Sequence, residues 1–511
     1  MSIRLRSDVA RRQTPVSSIR RCAVLALILV AACSTTGREV AGPPPAPADT
    51  TLGPLQREMR GLWVATVANI DWPSRAGLTA DQQRAELTDI LDRAAAAGMN
   101  TIVLQVRPAA DAVYASDLEP WAQLLSGQQG SAPDYDPLAF AIDEAHARGL
   151  ELHAWINPFR AGNTSEASSM AASHISRTRP DLVRVYGTLL WLDPGEPDAQ
   201  EHSMRVIRDI VMRYDIDGIH ADDYFYPYPQ NDASGRPIVF PDAGSFGLHG
   251  GGLPLDDWRR ANIDRFVERM YREVRAIRPT LSVGLSPFGI WRPGYPPGVA
   301  GFDAFAGIYA DALRWLQQGW LDYMAPQLYW AIDAPQQSFP ALLDWWLAQN
   351  NAGRHVWPGL AAYKVNSGAA GAFALREIPD QIRATRTRAG GTGHPIFNMK
   401  STLKQDGGAL ATALAADVYR HGAVPPATPW LDATVPAAPL LSASGSTLRI
   451  EAPAGAAPRW WVVRSRHADG WRTRRLFGSV STIGLDGVDR VLVHAASKTM
   501  ILSPAAEWRR P

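Results

Sequence analysis

From Met59 onward, short apolar runs rich in β-branched and aromatic residues alternate with longer stretches in which apolar positions recur at helical spacing. The runs read as buried strands and the stretches as amphipathic helices, and their alternation predicts repeated strand and helix units on a parallel sheet. Eight runs fit: 61–67, 101–106, 152–156, 218–221, 282–286, 323–329, 356–361 and 395–399. Eight units suggest a closed (β/α)8 barrel of the TIM type. Several helices have legible ends. The stretch 79–97 opens at Thr79 and stops at Gly98, and 137–148 follows Asp136 and stops at Gly149. Stretches 203–214, 257–277 and 310–318 have similar form, whereas 227–254 is rich in Gly and Pro and predicts a long loop over the barrel mouth.

The texture changes after Tyr419. Five prolines between His421 and Pro439 read as a linker, and beyond it come closely spaced runs at 448–451, 460–464, 473–476, 482–485, 491–495 and 500–502. Alternating runs with no helical stretch predict a small all-β sandwich, similar to the fibronectin type III-like modules appended to many extracellular hydrolases. The expected organisation is a barrel over 55–420, a Pro-rich linker over 421–440 and a β-sandwich over 441–511.

Charge bears mainly on the N-terminus. The formal net charge is +1, but the first 32 residues hold six Arg and one Asp, so the remainder sits at −4, which points to no nucleic-acid partner. Those residues form a basic region ending at Arg20 and Arg21, followed by an apolar run from Cys22 to Ala32 too short to span a membrane, which is the pattern of a removable signal peptide. Val30-Ala31-Ala32-Cys33 resembles the lipobox of bacterial lipoproteins, which implies diacylation of Cys33. With Cys22 in the leader, the mature body has no other cysteine and no possible internal disulfide. Ser34 after the cysteine implies, by the same resemblance, an outer-membrane lipoprotein facing the periplasm, and residues 33–54 read as a flexible tether.

The chemistry concentrates at Asp215 to Pro229, where a short apolar run delivers His220, Asp222 and Asp223 into a cluster of aromatic residues. Catalytic groups of such barrels sit at the C-terminal ends of the strands, which makes Asp222 the first candidate. Side chains alternate along a strand, so His220 and Asp222 are expected to point inward, with Asp223 facing away unless the strand bulges or ends between them. A structural alternative is that both carboxylates cap the next helix or bind loop amides. Other strand ends contribute Arg107, Asn157, Arg160, Trp291, Gln327, Tyr329, Trp330 and Asp333, and the segment 191–195 contributes Asp193. Aromatic faces beside planar bidentate groups suit sugars, although Arg107 and Arg160 are equally suited to loop ion pairs and Asn157 to turn chemistry. His220 beside two carboxylates raises the question of a metal, but no other histidine follows a strand with suitable ligand spacing, so no metal and no cofactor is expected.

Six segments in order, 60–64, 152–158, 191–195, 217–224, 286–291 and 325–330, resemble glycosyl-hydrolase-like family 10. The resemblance covers roughly 57–419 and implies a (β/α)8 barrel and glycoside hydrolysis. The family includes a lipoprotein glycosidase of the cell-division machinery that cuts peptide-free peptidoglycan strands, so it also implies peptidoglycan glycan strands as partner, with a role for His220 and Tyr224 in binding them. A glycosidase ordinarily needs an acid and a second carboxylate. Asp223, Asp193 and Asp333 are all open as partners of Asp222. A fainter similarity to family 18 chitinases aligns Asp217 and Asp222 but puts His220 where an Asp would be and Tyr224 where the catalytic Glu would be. Substrate assistance by an acetamido group stays open, as does a glycan-binding lipoprotein without catalysis.

Overall fold

The computed structural model describes residues 51–453 and 457–511. The leader, Cys33 and all but the last residues of the expected tether lie outside the described residues. Among the described residues, no helix is long and apolar enough to cross a membrane.

The barrel strands are β1 (Met59–Val64), β2 (Thr101–Arg107), β3 (Glu151–Ile156), β4 (Gly218–Ala221), β5 (Ser282–Leu285), β6 (Tyr323–Met324), a divided β7 (His355–Val356 and Leu360–Ala361) and β8 (Gly393–Phe397). All pair in parallel, in sequence order. The first half of β7 pairs with β6 and its second half with β8, while β8 pairs with β1, so the ring closes through the divided strand. The result is a (β/α)8-like fold. Each of the eight predicted runs carries one of these strands.

The helices that follow the strands are α1 (Ala80–Ala96), α2 (Pro137–Ala147), α3 (Pro197–Arg213), α4 (Leu255–Ile277), α5 (Ala312–Gln318), α6 (Phe339–Ala348), α7 (Glu377–Arg386) and α8 (Ala409–Ala416). Their ends follow the expected signals. Thr79 and Gln82 form a reciprocal capping box at α1, and Asp136 accepts from Leu138 and Ala139 N–H at 3.0 Å at α2. Two helices start earlier than expected, α3 with Pro197 in its first turn and α4 at Leu255.

Alternation along the strands sorts the core in two. Leu62, Ile102, Leu104, Leu152, Ile219 and Val283 belong to the large cluster shared with the helices, whereas Trp63, Val103, Trp155, Tyr323 and Trp357 pack inside the ring as a separate cluster. The interior admits these rings because two strand positions lack a Cβ. At Gly284 a Cβ would lie 2.0 Å from the Tyr323 ring, and at Gly218 it would lie 2.7 Å from the His153 ring.

Two insertions decorate the mouth. The β3–α3 connection forms a three-stranded antiparallel sheet of Arg160–Asn163, Val183–Tyr186 and Leu189–Leu192. The predicted long loop contains a short helix, Ala243–His249, and is anchored where Arg259 holds buried Asp242.

Segment 421–439 is pinned rather than loose. Val424 exchanges backbone hydrogen bonds with Gln56 and Glu58, and Trp430 Nε1 donates to Asp322 at 2.9 Å. Beyond it lie a three-stranded sheet (Leu440–Ser444, Thr447–Glu451, Thr482–Gly484) and a four-stranded one (Trp460–His467, Gly470–Phe477, Val488–Ala496, Ala506–Arg509). The expected run 500–502 makes only an isolated bridge, and the strands Leu440–Ser444 and Ala506–Arg509 were not legible. This module covers the N-terminal end of the barrel. Arg459 bridges Asp217 at 2.6 Å, Arg475 reaches Glu151 at 2.6 Å, and the His146 ring stacks on Phe477 at 4.9 Å. Gly149 permits the contact: its φ is +72° and a Cβ there would meet the Arg475 carbonyl at 2.1 Å.

Candidate active site

The C-terminal ends of the strands open into a cleft of about 350 Å³. β4 ends at Ala221, so strand alternation no longer separates the next two residues, and both Asp222 and Asp223 line this cleft. Asp223 would face away only on a strand that continued through it, and here the strand has already ended.

Asp222 is held from three sides. Trp155 Nε1 donates to its Oδ2 at 3.0 Å, Asn157 Nδ2 sits 3.2 and 3.3 Å from the two oxygens, and Tyr224 N–H donates to Oδ1 at 3.3 Å. Burial, reinforced by the charge of Asp223, pushes its carboxyl up to about 6 against the pull of Arg160 and the Trp155 hydrogen bond. Asp223 is also raised by burial, with hydrogen bonds from Tyr228 and Gln327 acting the other way. Burial thus raises both of these adjacent carboxyls, and the charge of Asp223 raises Asp222 further, which favours keeping a proton on one of them.

The remaining walls are aromatic and amide. Trp63, Tyr224, Tyr228, Phe288, Tyr329, Tyr363 and Phe397 supply ring faces, and Gln105 and Gln327 supply amides. Gln105 is fully buried, and its Oε1 accepts from Thr66 and Val67 N–H at 3.0 and 2.9 Å, which fixes the orientation of its amide. Its Nε2 has no partner among the described residues and belongs to a wall of the cleft. A buried amide N–H2 left unpaired is a donor waiting for an acceptor.

Below this floor, His220 is enclosed. Trp63 Nε1, which can only donate, lies 3.3 Å from His220 Nε2, so the ring proton is on Nδ1, facing Tyr323 Oη at 3.0 Å; Tyr323 in turn faces His153 Nδ1 at 2.8 Å. Burial drives the imidazole down to about 3, so it is neutral.

Of the sequence-selected residues, the structure brings Asp222, Asp223, Arg160, Tyr224, Gln327 and Tyr329 to one cleft, with Asn157 behind Asp222. It places the others elsewhere. Arg107 is wholly buried and spans Glu119 and the Asn157 carbonyl, an internal brace rather than a sugar ligand. Asp193 is buried against Ser245 Oγ at 2.7 Å and Arg184 at 3.0 Å, anchoring the mouth loops outside the cleft. Asp333 lies in an exposed turn beyond Trp330. Trp291 stacks on Trp345 at 6.0 Å and donates to Asp311, Trp330 packs edge-on against Phe288 at 5.6 Å, and His220 lies beneath the floor; none of the three lines the cleft. Trp63, Gln105, Trp155, Tyr228, Ser286 and Phe397 were missed as site residues. The inward parity of Trp63, Gln105 and Trp155 on β1, β2 and β3 was the signal that could have found them.

A (β/α)8-like barrel whose mouth holds paired acids among aromatic rings defines a glycosidase-type protein. The chain belongs to the family Glycosyl hydrolase-like 10, whose model matches residues 58–372. It is similar to glycosyl hydrolase YngK of Bacillus subtilis, 39% identical over 396 residues and covering 76% of each chain. It is also similar to glycosyl hydrolase DigH of Escherichia coli K12, 35% identical over 386 residues, covering 70% of this chain and 86% of the relative. Among solved structures, the glycoside hydrolase domain of PgaB (BpsB) from Bordetella bronchiseptica superposes with a TM-score of 0.47 at 15% identity, over 71% of this chain and 99% of that one.

Proposed function

We propose that the protein is a glycoside hydrolase acting on glycan strands of N-acetylated amino sugars, namely peptide-free peptidoglycan, with Asp222 and Asp223 as its acid pair. The observation that carries this is the pair itself: consecutive carboxyls in one cleft, both raised by burial, one of them coordinated by three N–H donors. Nothing in a passive sugar-binding cleft calls for two buried acids side by side, both raised by burial.

The adjacency favours substrate assistance. In the usual two-carboxylate mechanisms the groups stand on either side of the scissile bond, roughly 5–9.5 Å apart, whereas consecutive residues approach from one wall. In this reading Asp223 protonates the leaving glycosidic oxygen. The substrate's acetamido oxygen attacks the anomeric carbon as that bond breaks, and Asp222 accepts the acetamido N–H and stabilises the positive ring that forms. Asp223, now ionised, then takes a proton from the water that reopens the ring, restoring both groups. The N–H donors on Asp222 suit it to the charged role.

Cys33 in its lipobox supports a lipid-anchored, periplasm-facing protein of the outer membrane, placed near the cell-division machinery as in the lipoprotein it resembles. The three-plus-four arrangement of the C-terminal strands supports a fibronectin type III-like module.

The test is mass spectrometry of products from the lipid-free protein incubated with peptide-free strands and, in parallel, intact peptidoglycan. Short reducing saccharides from bare strands, absent with Asp222→Asn and Asp223→Asn, are the expected result. Strand binding without products from either substrate would instead establish a binding protein.

A further inference from the structure

The cleft continues past Arg160. A second cavity of about 210 Å³ shares Val67 and Arg160 as walls with the first and lies among the loops that follow β1, β2 and β3. Its polar wall includes Asp111, Gln129, Asn163 and Glu166. Most of these groups are occupied by one another. Gln129 Nε2 donates to Asp111 at 3.2 Å while its Oε1 accepts from Ala171 N–H at 3.0 Å, and Glu166 accepts both the N–H and the Nδ2 of Asn163 at 3.1 Å.

Arg160 is the exception. Its backbone N–H is fixed by Asn157 Oδ1 at 2.8 Å, and its guanidinium lies over the Tyr224 ring, 4.5 Å from the centroid. It makes no carboxylate ion pair among the described residues, acting on Asp222 and Asp223 only through longer-range attraction. A half-buried guanidinium at the junction of two cavities, without an anionic partner, presents a planar fork matched to a carboxylate. Charge sets the class of anion. With Asp222, Asp223 and Glu166 nearby, a doubly charged phosphate would be repelled more strongly than a carboxylate, whose single charge the guanidinium matches. Asp111 adds less than a full charge to the repulsion, since burial holds its carboxyl up at about 7.

We propose that the two cavities form one groove, that the second takes the neighbouring sugar of the strand, and that Arg160 binds a free carboxylate carried by that strand at the junction. This rests on the glycosidase reading and deepens it, by making the protein selective for glycans whose sugars bear an unblocked acid. The acid can be a lactyl ether on an amino sugar or the carboxyl of a uronic acid. A lactyl group joined to a peptide is an amide, carries no charge and would leave Arg160 unpaired.

The experiment compares kcat/KM on amino-sugar oligomers with free lactyl carboxylates, on the same oligomers with each carboxyl converted to its primary amide, and on oligomers alternating uronate with N-acetylhexosamine. Titration calorimetry of each runs alongside. The expected result is about a tenfold or larger preference for acid over amide in the wild type, collapsing to about onefold in Arg160→Gln. Since Arg160 also influences the acid pair, the ratio rather than the absolute rate is the readout. Ala76→Trp, which narrows the second cavity from its rim, should raise KM for four-sugar strands while sparing two-sugar ones. Uronate oligomers favoured as strongly as lactyl ones would support the proposal with the wider source, and lactyl oligomers favoured alone would support it with the narrower. Cleavage of acid and amide at equal rates would overturn the subsite and leave the glycosidase standing. Absence of cleavage, with acid still bound more tightly than amide, would overturn the glycosidase and leave the subsite.

Discussion

Trp155 donates its indole N–H to Asp222 Oδ2 at 3.0 Å, linking the third barrel strand to the residue just beyond the fourth. The two strands are neighbours with Trp155 opposite His220, so the indole nitrogen reaches the carboxylate two residues further on. This bond favours the ionised form of a carboxyl that burial has raised to about 6. Trp155→Phe keeps most of the ring and removes the donor. A hydrogen bond to a charged group contributes about 1.5–3 kcal/mol, so kcat/KM should fall roughly tenfold to a hundredfold. Because the variant raises the Asp222 carboxyl further, the acidic limb of the pH–rate profile should also move upward. A drop in rate with an unmoved limb would deny Asp222 the ionised role.

Gln105 makes a second prediction. Its Oε1 is committed to the Thr66 and Val67 amides, and its Nε2 meets no partner. Gln105→Leu frees those two backbone N–H groups as well as removing the donor, so it would confuse folding with binding. Gln105→Glu preserves the acceptor and deletes the N–H2, putting an acceptor where a donor stood. KM should rise at least tenfold while the melting temperature moves little. An unchanged KM would mean that Nε2 points at nothing the substrate offers.

The barrel was legible because its strands are continuous apolar runs between helices with capped ends, as at Thr79 and Gly98. The site was legible only where a residue's local surroundings decide its fate. Asp222 follows a strand end, at the mouth where such barrels carry their catalytic groups. Arg107 also follows the outline of a mouth residue, yet Glu119, twelve positions on, captures it. Asp193 is claimed by Ser245, 52 positions away, and such pairings depend on how long loops fold back. The three-stranded sheet over 160–192 was hidden for a related reason: its strands are four residues each, and the motif around Trp191 reads equally well as a loop. Gln105 and Trp155 were missed although their parity was available, because aromatic and amide side chains inside a strand read first as core.

The C-terminal module should be inseparable from the barrel. Arg459 sits between Asp217, His146 and Asp215, and Asp217 is buried with its carboxyl held well below the usual range: burial opposes this, but His146 and Arg459 outweigh it. Arg459→Ala leaves that carboxylate without its main cation. Breaking a buried pair from one side costs about 3–5 kcal/mol, so thermal unfolding should shift down by several degrees as one transition. Two resolved transitions in the wild type would show instead that the module unfolds independently and that this contact does not couple it to the barrel.

Acid should destabilise the fold through Glu119 and Glu58. Burial alone would raise both carboxyls, but Arg107 and His202 around Glu119, and Arg386, His394 and Arg60 around Glu58, bring each down to about 2. A carboxyl whose folded value lies below its unfolded one binds fewer protons in the folded state. Its contribution is complete above about pH 4.5 and is lost as pH falls toward 2. Asp71 and Asp222, raised to about 6, act in the opposite sense, losing stability as pH climbs from about 4 through 6. The melting temperature should therefore drop steeply below about pH 4.5 and decline gently through pH 6. In Glu119→Gln the steep acid limb should become shallower, and stability at neutral pH should fall because Arg107 loses its buried counter-charge. A Glu119→Gln protein as stable as the wild type at pH 7 would show that buried Arg107 does not depend on Glu119 for its counter-charge.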